Sequence, residues 1–295
     1  WIYEGFTTTA TLIGGYSGTT GPGVVTSSGG ALTLKFFSDA AIVNSGWEAV
    51  WNCLTDTIVP TTTINPANAW ETADFTAVFT DADAGGSGLD RLFYQVSDFN
   101  GVEWRANNGN GFFNDNFDAA IHADWTDSAG VWAIDSAYLN QSDENQDNSN
   151  IFASLAQNNT EVYLYNWQAN MQSGSSVNKR QGLHFFSDNA SLPNRGNSYF
   201  VFFREENNKV QIYKVVNDVF TLMSDNVVNI NADIWYDCKV IFNPASGEIK
   251  AYMNNALVAS WIDPSPFISG NYLSFRTGNA NALFNNLKVG KTRIG

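Results

Sequence analysis

Along most of the chain apolar and polar residues alternate with a period of two, the repeat of a strand that buries one face. The pattern is clearest after residue 117. Glu161 to Met171, Gly182 to Phe186, Asn197 to Arg204, Val210 to Val215, Trp235 to Phe242, Glu248 to Met253, Asn271 to Arg276 and Ala282 to Val289 read as strands separated by Asn, Asp, Gly and Pro turns. On the order of nine or ten short strands with no helical period predict a two-sheet sandwich. Upstream, Asp74 to Thr80 places Phe75, Ala77 and Phe79 on one face, a turn-rich stretch from Asp81 to Gly88 comes next, and Arg91 to Val96 alternates again. The β-branched run Thr55 to Thr63 around Pro60 reads as an extended, stiff connection.

The first residues show a third grouping. Trp1-Ile2-Tyr3-Glu4-Gly5 enters as a strand, Gly14-Gly15-Tyr16-Ser17-Gly18 turns, and Ala31 to Phe37 forms another strand. Ser38-Asp39 then leads through Gly46-Trp47 to Trp51-Asn52-Cys53. The fold class expected is all-β, with multidomain β-sandwiches whose boundaries fall at 1–54, 55–116 and 117–295.

Composition narrows the function classes. With 15 basic against 29 acidic residues, a net charge of −14 and a pI near 4.3, the surface repels nucleic acid and anionic lipid. The scarcity of Lys and Glu beside abundant aromatic, Gly, Asn, Thr and Ser residues is strand-and-turn chemistry. No apolar run approaches the ~20 residues that span a bilayer, so no membrane span is expected, and the opening residues lack the pattern of a signal peptide.

Several stretches resemble known families. Residues 1–53 resemble the C-terminal half of a CUB domain, an extracellular β-sandwich: a strand, a Tyr-Gly turn, an aliphatic strand ending in Phe-x-Ser-Asp, Gly-aromatic-x-Ala and a final Cys. The resemblance implies that Cys53 is a disulfide cysteine whose partner lies upstream of Trp1, and that Asp39 belongs to a calcium site whose other ligands also lie upstream. The missing strands would come from an upstream part of the same chain, the favoured source, or from a partner chain. They would cover Leu32, Leu34, Phe36, Trp47 and Trp51. Residues 57–116 resemble a compact bacterial Ig-like repeat. The order of strands after 117, closing on Asn243-Pro244-Ala245-Ser246-Gly247 and Phe284 to Val289, resembles a concanavalin-like or laminin-G-like jelly roll. More narrowly, Asp98 to Asn107, Arg195 to Val201 and Val210 to Val215 resemble a jelly-roll unit of secreted multidomain proteins from gliding bacteria that use type IX secretion. Such bacteria O-glycosylate Asp-Ser/Thr-aliphatic motifs, which here would mark Thr57, Ser128 and Ser136.

The candidate chemistry is that of binding. Catalytic jelly rolls carry a Glu-x-Asp-x-Glu strand that aligns alternate carboxylates on one face, and this chain has none. The acidic run Ser142 to Asp147 sits among turn formers and reads as a solvated loop. His122 and His184 have no metal-ligand spacing. Tyr163, Tyr165 and Trp167 share one strand face. Either that face is the core, or Val162 and Leu164 form the core side and the aromatic face is open to stack on sugar rings. Arg180, His184, Arg195 and Arg204 are scarce cations in an acidic protein. Either each pairs with a local carboxylate, or they converge on a pocket for a uronate or sulfated glycan. Asp81, Asp83 and Asp90 have the alternating oxygens of a weak calcium loop, the alternative being a plain hairpin. No cofactor is required, with structural calcium as the one candidate. Cys238 reads as a buried small hydrophobe.

The expectation is therefore a non-catalytic segment of a secreted or cell-surface protein that binds a glycan or cell-surface polymer. The alternatives are an adhesive spacer or protomer of an assembly and, behind it, a glycan-active enzyme using Asp143 or Glu161.

Overall fold

The structure is a computed structural model that describes residues 1–19, 21–27, 30–38, 41, 46–52, 60–65, 76–83 and 91–293. It divides into two compact units, Trp1–Arg91 and Leu92–Gly295. Asp39, Cys53, Thr57 and Asp90, with the roles expected of them, lie outside the described residues.

In the first unit, β1 (Ile2–Glu4), β2 (Thr11–Gly14) and β3 (Leu32–Leu34) form an antiparallel sheet in the order β2-β1-β3. Ile2 is its buried residue, while Phe36 is 63% and Trp51 82% exposed. Of the face expected to need a cover, Leu34 and Trp47 are exposed as well and Leu32 is half-buried. β4 (Thr61–Asn65) and β5 (Val78–Ala82) form a separate two-stranded ladder.

The second unit begins with β6 (Phe93–Tyr94), β7 (Ser97–Phe99), β8 (Trp104–Ala106), β9 (Phe113–Asp115), β10 (Trp125–Ala129), β11 (Trp132–Asp135) and β12 (Tyr138–Gln141). It continues with β13 (Asn150–Asn158), β14 (Tyr163–Met171), β15 (Arg180–Ser187), β16 (Ser198–Arg204), β17 (Lys209–Val216) and β18 (Val219–Val227). It closes with β19 (Tyr236–Asn243), β20 (Glu248–Met253), β21 (Ala256–Ile262), β22 (Ser269–Gly278) and β23 (Ala282–Thr292). These build a seven-stranded sheet, β10-β13-β22-β15-β16-β17-β18, and a nine-stranded one, β11-β12-β23-β14-β19-β20-β21 with β6 and β9 also on β23. The result is a two-sheet jelly-roll sandwich, and the described residues are all-β. No helix among the described residues is long and apolar enough to cross a membrane, a statement that leaves strand-built spans aside.

The sequence boundary expected at 116 falls inside this second unit. Residues 93–94 and 113–115 pair with the last strand of the jelly roll, Tyr94 with Lys291 and Phe113 with Val289, so 92–116 belongs structurally to the jelly roll.

The core lies between the two sheets. Tyr163, Tyr165 and Trp167 of β14 point into it: Tyr165 packs on Phe185 at 4.9 Å, and Trp167 meets Phe203 and Phe275 edge-on at 5.9 and 6.2 Å. All three are 0% exposed. The aromatic face is therefore the core side, because large rings fill the broad space between sheets better than Leu164, which is only half-buried on the opposite face. These three residues are thereby removed as a sugar platform. Cys238 is a free, fully buried thiol against the same core, and burial pushes its pKa up.

Candidate functional site

The seven-stranded sheet has a second face, turned away from the core. Strand register sets side chains there in rows across β22, β15, β16 and β17. The first row is Gly278, Arg180, Arg204 and Lys209; the second is Arg276, Gly182, Phe202 and Gln211; the third is Ser274, His184, Phe200 and Tyr213. Cations and aromatics thus alternate over one small area.

The aromatics form its floor. His184 stacks on Phe200, Phe200 packs on Phe202 at 4.4 Å, and Phe220 of β18 stands edge-on to Tyr213 at 5.3 Å. Phe200 and Phe202 are buried, while Tyr213 and Phe220 are half-buried. Two guanidiniums lie over this floor: Arg276 is 5.0 Å from the Phe220 ring centre and 5.7 Å from Phe200, and Arg180 is 5.6 Å from Phe202. Two glycines make the room. A Cβ on Gly278 would meet the Arg180 guanidinium carbon at 2.6 Å, and one on Gly182 would meet the Val201 carbonyl at 2.0 Å and Phe200 at 3.0 Å.

Each cation has a different set of partners. Arg180 pairs with Asp147 and donates to the Asn178 carbonyl at 2.9 Å and Asn279 Oδ1 at 3.1 Å. Arg204 donates to Gln211 Oε1 at 3.2 Å and to Asn178 Oδ1, and its Nε–H has no partner. Arg276 donates from Nη1 to Asn194 Oδ1 at 3.2 Å, and its Nε–H is likewise buried and unpartnered. Burial first, and then the Arg180 charge, pull the Arg276 pKa down to about 10, so it remains charged at neutral pH. Arg195 reaches in from the loop after β15. It is fully buried and donates to Ser274 Oγ, the Ser149 carbonyl, Asn148 Oδ1 and the Pro193 carbonyl.

His184 is held neutral. Burial, reinforced by the charges of Arg195 and Arg276, drives its pKa well below the ordinary value. Its Nδ1 lies 3.1 Å from Ser198 Oγ and its Nε2 has no partner. Arg180, His184, Arg195 and Arg204 all lie on this side of the sheet. Arg180 has a carboxylate at ion-pair distance. For Arg195, Arg204 and Arg276 the hydrogen-bond acceptors among the described residues are neutral oxygens.

Sequence reasoning missed Arg276, Phe200, Phe202, Tyr213 and Phe220. The signal existed: in the strand expected from 271 to 276, Arg276 has the opposite parity to the core residues Leu273 and Phe275. Strict period two would put His184 on a face with Phe186. The register shifts between His184 and Ser187, and Phe186 takes φ 52°, which turns its ring into the core against Phe242. Gly270 admits this bulge, since a Cβ there would meet Phe186 Cα at 2.3 Å.

The remaining candidates lie elsewhere. Ser128 on the edge strand β10 and Ser136 in the β11–β12 turn are both exposed. Asp81 accepts from Thr62 Oγ1 at 2.7 Å within the β4–β5 ladder, and among the described residues no group of three or more His, Cys, Asp or Glu is placed to hold a metal, Asp81 and Asp83 included. Asp143 Oδ1 accepts from the Asn145 amide at 3.0 Å, and Glu161 lies 3.7 Å from Lys291. His122 bridges Glu103 and Asp124, at 3.2 and 3.1 Å, beside Arg105.

The CUB domain family matches residues 1–51, and no curated protein matches the chain. Among solved structures, the carbohydrate-binding module CBM66 from Bacillus subtilis is 20% identical, covering 57% of this chain and 95% of its own, with a TM-score of 0.49. A protein of unknown function with a galectin-like fold, also from Bacillus subtilis, is 12% identical over 63% of this chain and 98% of its own, with a TM-score of 0.49. The Bacillus licheniformis β-glucanase is 12% identical over 63% and 99%, with a TM-score of 0.43.

Proposed function

We propose that the jelly roll is a non-catalytic carbohydrate-binding module of a secreted or cell-surface protein, and that the outer face of its seven-stranded sheet receives the sugar. The observation that carries this reading is the combination of half-buried Tyr213 and Phe220 with buried, unpartnered N–H donors on Arg204 and Arg276. Sugar rings present apolar faces that stack on aromatics and hydroxyls that need fixed polar partners. The carboxylates beside these rows are engaged by cations, Asp147 by Arg180 and Asp225 by Lys209. That supports binding over glycoside hydrolysis. A glycan array probed with the full 295-residue chain tests the reading: retention of a defined saccharide, lost in Tyr213→Ala, supports it, and an empty array sinks it.

A scaffold role is the second reading, favoured by the first unit. Exposed Leu34, Phe36, Trp47 and Trp51 form an apolar surface that further strands of a longer chain, or of a partner chain, would cover to complete a CUB sandwich. The Ig-like character of the segment before Leu92, the type IX secretion route and O-glycosylation of Ser128 and Ser136 belong to the same proposal. Exposure of both serines supports the last of these. Intact-mass measurement on protein from its native host tests it.

A further inference from the structure

The outer face shows more than a sugar platform. Three guanidiniums, Arg180, Arg204 and Arg276, stand on three neighbouring strands of a protein whose net charge is −14. Like charges so placed repel one another, and a buried cation without a counter-charge is costly. The one carboxylate at ion-pair distance from the three, among the described residues, is Asp147, which is exposed and faces Arg180.

Arg276 has the most telling geometry. It is 8% exposed, Asn194 engages its Nη1, and its Nε–H is buried without a partner. Among the described residues Nη2 makes no hydrogen bond either. The edge formed by Nε and Nη2 is thus an unused pair of parallel donors, the fork that matches two oxygens of a carboxylate or sulfate. Arg204 adds a second unpartnered Nε–H in the adjacent row. Neutral His184 beside them supplies a nitrogen, Nε2, that also lacks a partner.

We infer that the saccharide bound on this face carries an anionic oxygen group, a uronate carboxylate or a sulfate ester, held by the free edge of Arg276 with Arg204 beside it. The inference rests on the reading of the outer face as a sugar site and names the class of sugar. An acidic peptide would satisfy the fork but would leave Tyr213 and Phe220 without an apolar ring face to stack on, so a saccharide fits the whole surface better.

Affinity gel electrophoresis of the full chain separates the outcomes. The gels contain polygalacturonate or its fully methyl-esterified form, dextran sulfate or dextran, and polyglutamate. Retardation by one acidic polysaccharide is expected to exceed that by its neutral counterpart by about tenfold, the scale of one charge-assisted contact. Which acidic polymer retards identifies carboxylate or sulfate. R276Q and R204Q are each expected to remove most of that excess, and R276K, which keeps the charge without the fork, to leave it unrestored. Near-ultraviolet circular dichroism reports whether each variant is folded, and Arg204, only half-buried, is the variant safest for folding. Equal retardation by the neutral polymer overturns the anionic group while sparing the sugar site. Equal retardation by polyglutamate, or an unchanged excess in folded R204Q and R276Q, overturns the inference as well. No retardation by any of the polysaccharides overturns both readings.

Discussion

His184 lies nearly parallel to Phe200, with ring centroids 4.0 Å apart and planes 12° from coplanar. Such a stack sits on the far side of the sheet from the core, yet His184 is fully buried. Its folded pKa is depressed below the unfolded value near 6.5, so the unfolded chain binds the extra proton first. Stability contributed by neutral His184 is complete above about pH 6.5 and falls as the pH drops below it. His184→Gln should flatten the stability curve between about pH 6.5 and 5, and urea unfolding at stepped pH measures the slope. A slope that survives the substitution would assign the effect to other groups. The carboxyl of Asp263 acts at lower pH. Burial alone would raise it, but Lys214, Tyr199 and the Ser265 amide together hold it below the usual range.

Trp167 and Tyr213 separate core from site. Trp167→Ala should cost about 3–5 kcal/mol by opening a cavity between the sheets. Tyr213→Ala should cost far less stability yet abolish retention of the sugar. Denaturant midpoints and glycan binding measured on both variants check the assignment. Equal loss of binding from a folded Trp167 variant would contradict it.

Gly182 has no room for a side chain. An added methyl would sit 2.0 Å from the Val201 carbonyl, so Gly182→Ala must push β15 away from β16. A loss of about 3 kcal/mol is expected, together with sugar binding, since Phe202 and Arg204 stand on the strand displaced. Thermal unfolding and the same binding measurement read both effects.

The Tyr199 hydroxyl donates to Asp263 Oδ2 at 2.5 Å and accepts from the Phe267 amide at 3.0 Å. Lys214 closes the group, its ammonium 2.7 Å from the same carboxylate. Tyr199→Phe leaves a half-buried amide and a buried carboxylate each short of a partner, at a cost of about 1–3 kcal/mol. Sugar binding should be unchanged, because Tyr199 faces the core and Phe200 the site.

Much of this was legible in the sequence. Period two located most strands from β14 onward, because the inward residues there are aliphatic or aromatic and the turns are rich in Asn and Gly. β18 was missed since it is an edge strand, with Ser224, Asp225 and Asn226 tolerated where one side needs no partner. β13 was missed despite Ile151, Ala153 and Leu155 pointing inward, its small Ala and Ser residues blurring the alternation. Convergence of the arginines was readable only as an open alternative. Cross-strand register makes neighbours of residues 180, 204 and 276 through pairings that no local pattern specifies.

The last strand, β23, has a consequence in time. It fills the place between β12 and β14 and also receives β6 and β9, so that the Gln95 side chain donates to the Val289 carbonyl across 194 residues of sequence. A sheet closed in this way cannot be completed while the ribosome still holds the final strand. The earlier strands must wait with their edges open, and the slow, non-local closure expected of such topology makes the nascent jelly roll dependent on reaching its end.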